Sequence, residues 1–366
     1  MPTDGQYMQR ALALAERGRG RTSPNPMVGC VVVRHDTIVG EGYHSRAGNA
    51  HAEVAAIEDA GGDIAGATLY LTLEPCTFHG RTPPCAGLLV EKKPARVVVA
   101  MLDPNPRVNG AGVEQLRAAG IQVDVGVCGK EAERLNEVFI KYIRTGRPFV
   151  IAKCGMTLDG KIATRTGHSQ WVTSAEARRM VHELRDVVDG ILVGSRTVMM
   201  DNPSLTTRLG KENSHDPVRI ILDAEEYLAA DRVVFQVESK SPTWVAGTTG
   251  RTYEYAAQTI RVPRGKEGVD IAALMHELGK REITSLLIEG GGTTLASSFE
   301  AGIVDKVCFF IAPKIIGGRD AVTAVEGEGV ASMDQAIQVE DMTVTRVGPD
   351  LLVEGYVKHA PGAQDT

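Results

Sequence analysis

His51 and Glu53 stand two residues apart, and Cys76 and Cys85 follow further along the chain. One neutral imidazole and two thiolates make a three-ligand zinc site, and three protein ligands leave the fourth tetrahedral position to water or substrate. Zinc in such a site makes water acidic enough to supply hydroxide at neutral pH. Glu53 would lie near the metal without ligating it, free to carry protons. The chemistry implied is metal-assisted hydrolysis with a carboxylate as proton shuttle. A structural zinc site would instead be closed by a fourth Cys or His, and His44 or His79 could supply that ligand. Glu53 at this spacing has no task in a structural site, so the hydrolytic reading is preferred.

The surrounding pattern shows what must hold these residues. Residues 4–18 carry apolar positions at helical spacing. Residues 29–33 and 38–42 form a hairpin around His35-Asp36. A helix is predicted from His51 to Gly61-Gly62, then strands at 68–73 and 96–101 with a Pro/Cys-rich loop and a short helix between them. Helix 112–119, strand 121–127 and a longer helix 131–144 complete the first half. His51 therefore opens one helix, and Cys85, after Pro83-Pro84, opens another. Helix N-termini present positive partial charge, which favours the thiolate that zinc needs. The alternation of strand and helix implies an α/β layered domain.

Thr145-Gly146-Arg147-Pro148 is the domain boundary, because glycine ends the preceding helix and proline prevents its resumption. Two domains follow, 1–146 and 147–366. The second is α/β as well, with strands at 149–154, 190–193, 218–222, 243–246, 285–288 and 307–312. Its helices are predicted at 174–186, 269–278 and 293–301, and a closing hairpin at 344–357 turns at Gly348-Pro349. The tail after Lys358 is expected to be disordered. There is no GxGxxG fingerprint. A run of glycines, Gly290 to Gly292, opens a helix and suits a phosphate or pyrophosphate bound through backbone N–H groups.

Composition sets the frame. A chain of 366 residues with 43% hydrophobic and 23% charged residues is an ordinary globular protein of about two domains. The formal net charge of −6, with no long basic run, disfavours a nucleic-acid partner. Four of the six cysteines, Cys30, Cys128, Cys154 and Cys308, sit in apolar or glycine-flanked stretches as small core hydrophobes. Nothing resembles a disulfide framework, so a reducing compartment is expected. The N-terminus is too polar for a signal peptide. No stretch approaches the roughly 18 uninterrupted apolar residues of a membrane span. A cytoplasmic protein with no membrane partner is expected.

The H-x-E…P-C…C order is the pattern that zinc deaminases use, normally closing with P-C-x-x-C. Here eight residues, Thr77 to Pro84, separate the cysteines. PNPMVGC at 24–30, His44 with Ala47-Gly48, HAE at 51–53, LEPC at 73–76, GRTPPC at 80–85 and DPNP at 103–106 occur in order. Together they resemble the deaminase half of the bifunctional riboflavin-biosynthesis deaminase/reductase family. That resemblance implies a cytidine-deaminase-like three-layer domain that hydrolyses the exocyclic amine of a diaminopyrimidinone ribosylamino 5′-phosphate. It implies zinc on His51, Cys76 and Cys85, Glu53 as proton shuttle, and substrate contacts at Asn25, His44, Arg81 and Asn105. Phe78 stands where family members commonly carry histidine.

After residue 146, Lys153, TLDGKIA at 157–163, Ser169-Gln170-Trp171, Gly194 with Thr197-Val198, DNPSLT at 201–206, Arg208 and EGGGT at 289–293 occur in sequence. They resemble the reductase half of the same family, a dihydrofolate-reductase-like α/β domain that uses NADPH. The resemblance implies substrate contacts at Ser169, Arg185, Leu205, Arg208 and Glu289. It implies cofactor contacts at Gly155, Trp171, Thr197, Asp201, Gly291, Gly292 and Thr293. Arg185 and Arg208 suit a ribose phosphate, and Glu289 can accept from sugar hydroxyls. Without the resemblance, Arg185 could be a solvated charge, Trp171 simple core and Asp201 a turn former. Ala224 stands where relatives can carry a serine near the cofactor's ribose phosphate. A homo-oligomer acting on a small phosphorylated pyrimidine is the expected assembly. Two rival readings are a nucleic-acid-editing deaminase with an unrelated accessory domain and a non-catalytic zinc-stabilised binding protein. The acidic balance and the long loop between the cysteines argue against the first, and Glu53 argues against the second.

Overall fold

The structure, a computed structural model, describes residues 2–78 and 84–359. It divides into two compact units, Met1–Arg144 and Thr145–Thr366. The first contains α1 (Asp4–Glu16), β1 (Gly29–Arg34), β2 (Thr37–Tyr43), α2 (Ala52–Asp59), β3 (Thr68–Leu71) and α3 (Cys85–Lys92). It continues with β4 (Arg96–Val99), α4 (Ala111–Ala118), β5 (Gln122–Val125), α5 (Gly129–Leu135) and α6 (Glu137–Thr145).

The five strands lie in the order β2-β1-β3-β4-β5. β1 is antiparallel to both neighbours, and β3, β4 and β5 are parallel. The alternation of side chains along β1 builds the layers. Cys30 and Val32 enter one core with Ala52, Ala56 and Ile57 of α2, Leu89 of α3 and Leu116 of α4. Val31 and Val33 enter the other, with Tyr7, Met8, Ala11 and Leu14 of α1 and Ala132 of α5. Helices therefore cover both faces of the sheet. At Gly42 a Cβ would lie 2.3 Å from the Ala56 nitrogen, so only glycine lets α2 press this closely on β2. That contact fixes the helix that starts at His51.

The single helix expected over 131–144 is instead two, α5 and α6, broken at Asn136. Asn136 leaves helical geometry (φ −103°, ψ 20°), and its side chain is buried. Its Oδ1 accepts from the Met27 N–H at 2.8 Å and its Nδ2 donates to the Met27 carbonyl at 3.0 Å. The side chain thus satisfies both backbone groups of a residue ahead of β1, a use of asparagine that helical periodicity does not reveal.

The second unit contains β6 (Phe149–Thr157), α7 (Ala175–Val187), β7 (Gly190–Gly194), α8 (Ser195–Asp201), β8 (Val218–Leu222), α9 (Val233–Gln236), β9 (Thr243–Gly247) and β10 (Gln258–Arg261). It continues with β11 (Arg264–Gly265), β12 (Gly268–Val269), α10 (Ile271–Gly279), β13 (Ser285–Ile288), α11 (Gly292–Glu300), β14 (Lys306–Ala312), β15 (Val339–Val347) and β16 (Asp350–Val357). Nine strands run in the order β10-β9-β8-β7-β13-β6-β14-β16-β15. Those from β10 to β14 are parallel and the closing pair is antiparallel. β6 runs to Thr157 rather than 154, because its last residues pair with Phe310 to Ala312 of β14. The closing hairpin starts earlier than expected, at Val339, with a register shift between Glu340 and Thr343. Residues 360–366, most of the tail expected to be disordered, lie outside the described residues. No helix among the described residues is long and apolar enough to cross a membrane.

Asn136→Ala leaves the N–H and carbonyl of Met27 without their partner and opens a cavity at the helix break. We expect a loss of about 1–3 kcal/mol in the first unit, read as a lower urea midpoint for its unfolding transition. An unchanged midpoint would mean that this asparagine does not hold the break.

Candidate functional site

β3, the central strand, ends at Leu71, and the chain runs on from its C-terminal end to Cys76. His51 is the N-cap of α2, and Cys85 is the first residue of α3, after Pro84 as N-cap. The ligand atoms of His51, Cys76 and Cys85 all lie within 4.8 Å of one another. His51 Nδ1 is 3.2 Å from Cys85 Sγ and 3.7 Å from Cys76 Sγ, so Nδ1 is the nitrogen turned towards the sulfurs. The Cys85 N–H donates to Cys76 Sγ at 3.4 Å, a start-of-helix donor directed at the sulfur.

The charges follow. Cys76 is pushed down to about 4, first by the hydrogen bond with Cys85 and then, against the effect of burial, by His51. Cys85 is pushed up by its bond to Cys76 and by burial. His51 is raised, chiefly through its hydrogen bond with Cys76. Glu53 is 3% exposed in the first turn of α2, and burial raises its carboxyl; its side chain contacts Cys85. A donor set of one imidazole and two mutually adjacent sulfurs, one already favoured as thiolate, fits zinc, which holds such sulfurs deprotonated.

His44 does not close the set. Its Nδ1 donates to the Ala50 carbonyl at 3.1 Å, leaving Nε2 to accept from Asn25 Nδ2 at 3.2 Å. Its ring stands edge-on to His51 at 5.6 Å, and burial lowers its pKa. Asn25 and His44 therefore adjoin the metal ligands as a bonded pair. Asn105 lies in the loop before α4, where its N–H donates to Asp103 Oδ1 at 2.9 Å and its Oδ1 accepts from the Arg107 N–H at 3.1 Å. The Arg107 guanidinium lies 4.7 Å over the Phe78 ring, so this aromatic position anchors the loop. Arg81 and His79 lie outside the described residues.

The second cluster sits where the parallel strands of the second unit end, the usual ligand-binding edge of such sheets. Glu289 follows β13. Arg185 of α7 grips it through Nε–Oε1 at 2.7 Å and Nη2–Oε2 at 2.9 Å, and donates from Nη1 to the Thr206 carbonyl at 2.9 Å. Lys153 Nζ of β6 adds a contact at 3.5 Å. Burial alone would raise Glu289, but Arg185 and Lys153 together hold it down to about 2. Arg185 is thus a buried ion-pair partner rather than a solvated charge, and it keeps two of its five N–H groups for a ligand. Leu205 has a left-handed backbone (φ 56°) with its side chain buried beside Ile191, Val193 and Val198. That turn delivers the Thr206 carbonyl to Arg185.

Arg208 donates to Ser204 Oγ at 3.1 Å and meets His182 Nε2 at 3.5 Å, with no carboxylate partner among the described residues. His182, which the sequence did not single out, is held down to about 4 by burial and by the neighbouring Arg185 and Arg208. Ser169 Oγ lies 3.4 Å from Asp201 Oδ1 at the end of α8. Trp171 is 59% exposed, so it is not core; Arg178 stacks 4.4 Å over its ring and Lys314 bonds its carbonyl. Gly155 faces Thr173, where a Cβ would lie 3.2 Å from Cγ2.

In the glycine run, a Cβ at Gly290 would lie 2.5 Å from Thr294 and one at Gly292 2.5 Å from the Thr323 carbonyl. At Gly291, the N-cap of α11, the nearest atom is Thr197 Oγ1 at 3.7 Å. Gly290 and Gly292 are glycines because of packing, whereas a Cβ at Gly291 would make an ordinary van der Waals contact; a helix that starts on such a run fits a cofactor phosphate at its N-terminus. Thr293 Oγ1 donates to Glu326 at 2.7 Å.

Residues 1–101 match the model of the cytidine and deoxycytidylate deaminase zinc-binding region, and residues 148–353 match that of the RibD C-terminal domain. RibD of Actinobacillus pleuropneumoniae is 42% identical over 98% of this chain and 96% of its own length. The chain belongs to the RibD family. The solved structure of Acinetobacter baumannii RibD aligns with a TM-score of 0.88 at 34% identity, covering 97% of this chain and 99% of its own. A diaminohydroxyphosphoribosylaminopyrimidine deaminase/5-amino-6-(5-phosphoribosylamino)uracil reductase from Thermotoga maritima aligns at 0.87 with 36% identity, covering 97% and 99%.

Like other RibD proteins, the chain is a bifunctional enzyme of riboflavin biosynthesis. It is a zinc-dependent deaminase and a reductase acting on a small phosphorylated pyrimidine, with Zn2+ and NADPH as cofactors. The deaminase-like domain followed by a reductase-like α/β domain, expected from the sequence, is the fold of the family.

Glu289 lies below its ordinary value of 4.5, so the stability it contributes is complete above about pH 4.5 and is lost as pH falls through about 2. Glu289→Gln should remove that acid dependence. At neutral pH it should cost the second unit about 3–5 kcal/mol, because Arg185 is left buried without its counter-charge. Urea titrations at pH 7 and pH 3 would check this, and an unchanged midpoint at pH 7 would refute the buried pair.

Proposed function

We propose that the first domain, 1–146, hydrolyses the exocyclic amine of 2,5-diamino-6-ribosylamino-4(3H)-pyrimidinone 5′-phosphate. The second, 147–366, reduces the ribosyl chain of the product to the ribityl form. The observation that carries the deaminase reading is the buried Glu53 beside a donor set of only three among the described residues, His51, Cys76 and Cys85. Zinc, when bound, supplies the Lewis acidity that makes water a nucleophile at neutral pH.

Glu53 takes the two protons of the attacking water in turn at its carboxylate, passing one to the ring and one to the departing ammonia. Burial raises its carboxyl, which suits a group that must both take and return a proton. Asn25, His44, Arg81 and Asn105 orient the substrate. The Asn25–His44 bond holds the amide in one orientation, so its remaining donor and acceptor face the pyrimidine edge as a fixed pair.

In the second domain NADPH, when bound, supplies hydride equivalents to the open-chain imine carbon. Gly155, Trp171, Thr197, Asp201, Gly291, Gly292 and Thr293 hold the cofactor. Ser169, Arg185, Leu205, Arg208 and Glu289 hold the substrate. Arg208, without a carboxylate partner among the described residues, is the cation best placed for the phosphate, and Arg185 adds its two uncommitted N–H groups. Glu289, fixed as a carboxylate, accepts from the sugar hydroxyls. The enzyme works in the cytoplasm as a homo-oligomer and has no nucleic-acid partner.

Glu53→Ala should abolish ammonia release, by at least a hundredfold, while zinc content and NADPH-dependent reduction of the deaminated intermediate are retained. Loss of both activities together would contradict separate sites. Arg208→Ala should raise KM for reduction while ammonia release continues; reduction with an unchanged KM would remove Arg208 from the site.

A further inference from the structure

Glu74 is a buried carboxylate, 3% exposed, two residues before the zinc ligand Cys76. No basic side chain neutralises it among the described residues; four backbone N–H groups do. Its Oε2 accepts from Asp103 at 3.1 Å and Gly110 at 2.8 Å, and its Oε1 accepts from Gly112 at 2.8 Å and Val113 at 3.1 Å. Two of these donors are in the first turn of α4, and the others bracket the loop that carries Asn105. Carboxylates bonded by several N–H groups are among the strongest neutral-donor arrangements in proteins, and here they join two segments distant in sequence.

Further contacts press the same segments together. A Cβ on Gly112 would lie 2.2 Å from the Pro75 carbonyl, so α4 starts in direct contact with the peptide that leads to Cys76. The Glu74 N–H donates to the Met101 carbonyl at 3.1 Å. Asp103, whose N–H is bonded to Glu74, in turn accepts from the Asn105 N–H at 2.9 Å. At the loop's other contact, Arg107 lies over Phe78, two residues after Cys76. Residues 103–113 are therefore tied to both sides of a zinc ligand, by Glu74 before it and by Phe78 after it.

We infer that Glu74 is a positioning residue for deamination, one that sets Asn105 against the substrate through Asp103 and so governs substrate affinity rather than the metal. The inference rests on the reading of Asn105 as a substrate contact. Its physical basis is that all four donors point at one carboxylate. Glutamine in its place keeps one accepting oxygen and turns an NH2 group towards two N–H donors, which cannot bond to it. The loop must then shift, while His51 keeps its place at α2, Cys85 its place at α3, and Cys76 its bonds from the Cys85 and Ala86 N–H groups.

The test is a double-mutant cycle read as KM against kcat for ammonia release, with zinc content measured on each protein. Glu74→Gln should raise KM roughly tenfold, keep kcat within about twofold and retain zinc. Asn105→Ala should raise KM by a similar factor, and the double variant should add little to either, as expected for residues acting through one contact. Should Glu74→Gln fail to fold, Asp103→Ala removes only the support of the Asn105 N–H and should give the same KM effect with zinc intact. An unchanged KM with kcat falling in step with zinc would make Glu74 a scaffold of the metal and overturn the inference. Additive effects in the double variant, or an unchanged KM in Asp103→Ala, would overturn it too. An unchanged KM in Asn105→Ala alone would instead sink the contact reading on which the inference rests.

Discussion

Sulfur must be negative to hold zinc, and negative sulfur inside a protein needs nearby positive charge. The first unit meets that need with the starts of two helices. His51 caps α2, Cys85 begins α3, and the Cys85 N–H is directed at Cys76. Much of the unit serves that convergence. Gly42 lets α2 pack on β2, the β1 alternation buries α2 beneath one face of the sheet, and the exit of β3 brings Cys76 to the same edge. Glu53 follows from the same geometry, since a residue two positions past the cap turns back into the buried first turn. The site is thus a consequence of how two helices begin, with the side chains placed where those starts converge.

The second unit solves a different electrostatic problem. Its ligands are anionic, and the end of its parallel strands must stay positive without burying free charge. Arg185 and Lys153 are stabilised by Glu289, which they in turn hold ionised, while Arg208 meets two neutral groups, Ser204 and a His182 kept uncharged by its surroundings. Burial makes each member depend on the others. The glycine run contributes geometry: Gly290 and Gly292 satisfy packing, and Gly291 is the N-cap of α11, with Thr197 at ordinary contact distance from a Cβ placed there.

The legible part of this molecule was the part set by local order. Strand and helix alternation, the helix starts at His51 and Cys85, and the glycine run before α11 are all written in short windows, because caps, turns and periodicity act over a few residues. What stayed hidden depends on partners far along the chain. Asn136 breaks a well-patterned helix because it bonds Met27. Arg185 could be read as a solvated charge because Glu289 lies far from it in sequence. Glu74 sits inside the LEPC motif, yet its partners are backbone N–H groups, which have no residue identity to read. The short polar strands β10, β11 and β12 lack the apolar run that marks a strand.

Deamination requires that His51, Cys76 and Cys85 hold zinc with one position left open beside Glu53. X-ray absorption at the zinc edge of the full-length protein tests it most directly. The expected result is one zinc per chain bound by two sulfurs, a single imidazole and a fourth light atom not supplied by a protein side chain, whose signal changes when a pyrimidine product is added. A second imidazole or a third sulfur in the zinc shell, unchanged by the product, would show a closed structural site with no place for the attacking water.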